Sequence, residues 1–197
     1  MNVRAPLVVM IAAILPVDAA TAHVPFGGGG GFFGGVLHPL FVPAHALAIL
    51  GIALLAGQQM PRWPWPAAAC YGAGLVAGFA VIVSAVVPQL ADEVLLATAA
   101  VSSGLVAAAW PIPKFLVSAL AFVTGLALGL DSPPHVTSVQ DASAILLGTF
   151  FGAIILLLVV VEGSIVLSRE WQRLGVRIVG SWSAASAIMV LALRLVR

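Results

Sequence analysis

The feature that most constrains this chain is a succession of long apolar runs separated by short links, with nearly every charge confined to the links. A run of about 18 apolar residues is long enough to cross a bilayer. A water-facing domain carries roughly a quarter charged residues, whereas here only 8% are charged and 62% are hydrophobic. Inside lipid each backbone N–H and C=O must be satisfied within its own segment, which favours helices. The expected fold is therefore all-α: a polytopic membrane helical bundle, forming one domain over residues 23–197.

Six spans are expected, at about 31–57, 67–90, 93–110, 114–130, 142–168 and 178–195. Residues 1–22 read as a signal peptide. Arg4 supplies the positive start, Leu7 to Leu15 the short apolar core, and Ala20-Thr21-Ala22 the small-residue cleavage pattern. The alternative is an uncleaved N-terminal helix, which Pro16 and Asp18 disfavour as a spanning element. Either way residue 23 emerges on the outer side. Cleavage would make His23 a terminus whose α-amine and imidazole can chelate a metal. The plainer reading of His23 is an ordinary mature terminus.

Charge placement fits this order. The inner links hold Arg62, Lys114, Arg169, Arg173 and Arg177, and the outer links hold Asp92, Glu93, Asp131 and Asp141. That is the positive-inside asymmetry. Arg194 and Arg197 depart from it, because an even number of spans puts them outside. A net charge of +1 without basic clusters argues against nucleic acid as a partner. The single cysteine, Cys70, excludes an internal disulfide and a four-cysteine cluster. No nucleophile elbow, HExxH or paired-carboxylate motif is present, so the chain does not read as an enzyme. Three GxxxG pairs, Gly74/Gly78, Gly125/Gly129 and Gly148/Gly152, predict close helix–helix approach. They suit a compact bundle, a homo-oligomer or a larger membrane complex.

The chemistry concentrates in the first span, GFFGGVLHPLFVPAHALAILGIALLAG, behind the five glycines 27–31. As one straight helix its 27 residues would measure about 40 Å, more than the roughly 30 Å hydrocarbon core. Pro39 and Pro43 predict a kink, a break or a re-entrant segment. His38 and His45 are seven residues apart, on one helix face but about 10 Å apart along the axis. An unbroken helix cannot bring both to one ion; a proline-broken one can. They can also act as successive stations or pair with acids from other spans. The plainer reading is that each imidazole bonds a carbonyl freed by a proline. Polar groups inside an apolar span are costly, which weighs toward function.

Glu162 follows three valines near the end of the fifth span. It reads as a proton or metal station, or as the ion-pair partner of an arginine in 169–177. Asp131 and His135 flank Pro133-Pro134 in an outer link, as cation-sampling groups at a mouth or as a solvated turn.

The first span resembles the HupE/UreJ family of hydrogenase and urease accessory membrane proteins, regarded as nickel or cobalt permeases. A family pattern like H-P-x-x-G-x-D-H falls on His38-Pro39-Leu40-Phe41-Val42-Pro43-Ala44-His45. Both histidines and the first proline match; Val42 takes the glycine position and Ala44 the acidic one. A second pattern like H-G-x-A-x-G-x-E falls on Thr124-Gly125-Leu126-Ala127-Leu128-Gly129-Leu130-Asp131, with threonine in the histidine position and aspartate for glutamate. The resemblance implies a multi-pass protein of the bacterial inner membrane with residue 23 on the periplasmic side. It implies nickel or cobalt as the transported species and no permanently bound cofactor.

Two readings follow; a third, a pigment, quinone or lipid binder, has no sequence signature of a cofactor pocket behind it. The first is a permease or accessory protein for a divalent transition-metal cation, most simply nickel. Its ligands would be His38 and His45, with Asp131 at the outer mouth, Glu162 as an inner station and His23 as an additional metal-binding group. The second is a non-transporting structural or assembly subunit of a larger membrane complex, favoured by the lost ligand positions and the GxxxG faces.

Overall fold

The computed structural model describes residues 31–84, 90–134, 136 and 138–196. The signal-like segment, His23 and His135 lie outside the described residues. The chain forms α1 (Phe32–Phe41), α2 (Pro43–Gln59), α3 (Trp65–Val83), α4 (Ala91–Ala108), α5 (Lys114–Leu130), α6 (Val139–Val166) and α7 (Glu170–Leu195). Among the described residues there is no strand. The expected all-α membrane bundle is what the chain forms.

Among the described residues each of the six expected segments forms helix. Four of them, α3, α4, α6 and α7, are long and apolar enough to cross a membrane, and the bent pair α1–α2 makes a fifth if counted as one span. The apolar α5 has only 17 residues, about 26 Å of helix. One boundary differs. Residues 169–177 were expected to be a link, but α7 begins at Glu170, with the Gln172 side chain accepting from the Arg169 backbone N–H. Glutamate at the first helical position and the Gln172 side-chain cap suit a helix start, so the charged stretch extends the helix.

The first span breaks where its prolines require. Val42 precedes Pro43, and the proline ring pushes the preceding residue out of the helical region. Val42 accordingly sits at φ −87°, ψ 111°, and the axes of α1 and α2 diverge by 74°. Pro43 then occupies the first position of α2, where its missing N–H costs nothing.

The glycine pairs work as expected. The Gly74/Gly78 and Gly125/Gly129 pairs face each other across α3 and α5: a Cβ on Gly125 would collide with the Tyr71 carbonyl, and one on Gly74 with the Phe122 carbonyl. Gly148 and Gly152 of α6 likewise meet the Phe32 and Val36 carbonyls of α1, and Gly35 meets Ile145. The short α1 is thereby seated against α6. The core gathers on α2, which packs against α1, α4, α5, α6 and α7 and carries fully buried Ala48, Ile49, Ile52 and Leu55.

Alternation of the helices sorts the charges to two ends. Asp92, Glu93, Asp131, Asp141 and Arg194 lie at helix ends on the side where α2 begins. Arg62, Lys114, Arg169, Arg173 and Arg177 lie at the side where it ends.

Candidate metal-cation site

The break between α1 and α2 reorients the two imidazoles. His38 lies in the last turn of α1 and His45 in the first turn of α2. Their ring centroids are 5.1 Å apart, nearly edge to face, instead of about 10 Å apart along a straight helix. The bend thus creates the proximity that an unbroken span forbids.

His45 is fully buried. Its Nε2 lies 3.0 Å from Oδ2 of Asp131, a residue 86 positions away at the end of α5. A carboxylate only accepts, so Nε2–H donates; in the neutral imidazole Nδ1 then carries a bare lone pair. That Nδ1 is buried and has no hydrogen-bond partner among the described residues. The plainer expectation, an imidazole bonded to a proline-freed carbonyl, does not describe His45, whose partner is a carboxylate. The His38 carbonyl accepts from the Val42 N–H, which closes α1. His38 itself is half-buried.

Asp131 is not a fully solvated turn residue: its side chain is 27% exposed. It therefore connects water to a buried imidazole. The two stretches that carry the family resemblance are distant in sequence, and the His45–Asp131 contact joins them. Thr124, at the histidine position of the second stretch, is buried and spends its hydroxyl on the Leu120 carbonyl of its own helix.

Sequence reasoning read Asp92 and Glu93 only as acids of an outer link. In the structure they open α4 beside the same site. His45, Asp131, Glu93 and Arg194 all lie within electrostatic reach of Asp92. Arg194 stands 2.9 Å from Asp92 Oδ2, as an ion pair rather than an aligned hydrogen bond. The pair accounts for Arg194, the one cation among the described residues at the acidic end. The signal for Asp92 and Glu93 was available: six alternating segments place the start of the third at the same end as the histidines.

Glu162 is not brought to this cluster. It is exposed in the penultimate turn of α6, at the opposite end. Among the described residues it forms no ion pair with an arginine of 169–177. No three His, Cys, Asp or Glu side chains among the described residues converge as ligands for one ion. The buried hydroxyls of Thr98 and Ser102 bond carbonyls of their own helix, and that of Ser132, just past α5, bonds the Leu128 carbonyl, which satisfies them locally.

A family model described as HupE / UreJ protein matches residues 11–190. Neither a curated protein nor a solved structure gives a match. The family model covers nearly the whole chain, which therefore belongs to the HupE/UreJ family.

Proposed function

We propose that this HupE/UreJ-family chain is a permease or accessory protein for a divalent transition-metal cation of the nickel and cobalt class, and that His38 and His45 receive the ion. The observation that carries this reading is the buried Nδ1 of His45 without a hydrogen-bond partner among the described residues. A buried acceptor left unpaired costs about 1–3 kcal/mol, and an unsatisfied group in a bundle core calls for a reason. Imidazole is a suitable ligand for nickel. An outer carboxylate on the far ring nitrogen fixes the tautomer and orientation of a ligating imidazole; the Asp131 carboxylate stands in that position to His45.

The ion would approach over the acidic end, exchange part of its hydration shell for the two imidazoles and keep the rest as water. Few protein ligands favour release, as transport requires. Elemental mass spectrometry on detergent-purified protein tests the reading, after equilibration with a low-micromolar mixture of nickel, cobalt, zinc and copper, paired with nickel uptake into vesicles. Wild type is expected to retain and take up metal, and a folded His38→Ala/His45→Ala variant to do neither.

The lack of a third converging ligand among the described residues favours a second reading, a non-transporting subunit of a membrane complex. Neither retention nor uptake in the wild type would overturn the first reading and leave the second.

A further inference from the structure

The basic end of the bundle is built differently from the acidic end. Two adjoining cavities surround the foot of α2. The first, about 400 Å³, is lined by Gln59, Pro61, Arg173 and Arg177 among others. The second, about 320 Å³, shares Gln59 and Pro61 as a wall and is lined by Arg62 and Lys114. Four cations thus face two contiguous hollows. Among the described residues none of the four pairs with a carboxylate.

Arg177 is anchored through Nε, which donates to the Ala107 carbonyl at 2.9 Å. Gln59 donates to the Trp110 carbonyl at 2.8 Å. These two bonds satisfy carbonyls at the end of α4 that lack helical partners. They also fix the cavity wall while leaving the terminal guanidinium nitrogens of Arg177 for another acceptor.

The level of these cavities in a membrane is marked by tryptophan. Trp63, Trp65, Trp110 and Trp171 all sit at this end and are 54–68% exposed, and tryptophan concentrates at the headgroup level. At Trp65, three residues from Arg62, begins an apolar groove of about 650 Å³ between α3 and α6, lined by Ala69, Val76, Phe150 and Leu158. A cationic double hollow at headgroup depth, beside an apolar groove entering the bilayer, matches one ligand chemistry. That chemistry is a phosphate diester carrying acyl chains.

We infer that the foot of α2 is a binding site for an anionic phospholipid, whose phosphate groups are held by Arg62, Lys114, Arg173 and Arg177 and whose acyl chain lies in the α3–α6 groove. Basic pockets between membrane helices recognise such headgroups by charge and geometry. Two hollows sharing a wall suit a lipid with two phosphates better than one with a single phosphate. This site is independent of the histidine site at the other end.

The test is native mass spectrometry of the full chain, delipidated in detergent and offered diphosphatidylglycerol, phosphatidylglycerol or phosphatidylcholine. Retention is expected in that descending order. The Arg62→Gln/Arg173→Gln variant should retain the diphosphate lipid roughly fivefold less for each cation removed. Removing a charge at the other end, by Arg194→Gln, should leave retention unchanged. If the double variant fails to fold, Lys114→Gln alone carries the same expectation of a roughly fivefold loss. Equal retention of charged and zwitterionic lipids, or retention indifferent to these substitutions, would overturn the inference. Displacement of lipid by millimolar inorganic phosphate would assign the hollows to free phosphate and overturn the lipid.

Discussion

At the scale of single residues, the informative contact is His45 with Asp131. It unites a buried imidazole with a partly exposed carboxylate 86 positions away, and leaves the other ring nitrogen bare. Replacing Asp131 with asparagine keeps an acceptor for the Nε2 proton but removes the carboxylate charge. If Nδ1 is a ligand, Asp131→Asn should weaken metal binding roughly 10–100-fold, the usual effect of losing such an outer partner, as measured by titration of the delipidated protein with nickel. Unchanged affinity would reduce Asp131 to a lid over the histidine. The histidines themselves were legible in the sequence because a polar side chain inside an apolar run is conspicuous. Their partner was not, since Asp131 in a Pro-rich link reads equally well as a solvated turn.

At the scale of elements, the decisive event is the break at Val42. Pro43 forbids Val42 the helical region, and the 74° bend that follows sets the 5.1 Å separation of the rings. The Pro43→Ala substitution lets Val42 return to helix, which would carry the imidazoles toward the roughly 10 Å separation of a straight segment. Metal retention should fall as far as in the His38→Ala/His45→Ala variant, although both histidines remain. Retention at the wild-type level would mean that the packing of α1 on α6 through Gly35, Gly148 and Gly152 holds the bend without the proline. The glycine pairs were legible because a repeat of four on a helix admits few roles other than close approach. Which pairs would meet was not: GxxxG fixes a face, whereas the partner across that face depends on the whole arrangement. The start of α7 was misjudged as a link because charge alone was weighed there, and capping by Gln172 was not.

For the whole molecule, the arrangement is a bundle around α2 with an acidic end that holds the histidines and a basic end ringed by tryptophans. The positive-inside asymmetry predicts that the acidic end faces outward. Single-cysteine variants in a Cys70→Ala background test this directly. A membrane-impermeant maleimide applied to intact cells should label Asp141→Cys and spare Arg173→Cys until the membrane is opened. The reverse pattern would invert the orientation and, with it, the direction in which an ion meets His38 and His45.

Hydropathy and the sparseness of charge determined from the sequence alone that this chain is a helical membrane bundle, because a backbone in lipid has so few ways to satisfy itself. Proline placement determined that the first span would not run as one straight helix, because the restriction acts on neighbouring residues. Only the tertiary structure decided that Asp131 reaches His45, that Asp92, Glu93 and Arg194 gather beside them, and that four cations from three separate segments surround the foot of α2. Those are contacts between segments remote in the chain. Their geometry is fixed by how the helices pack, which no local pattern encodes.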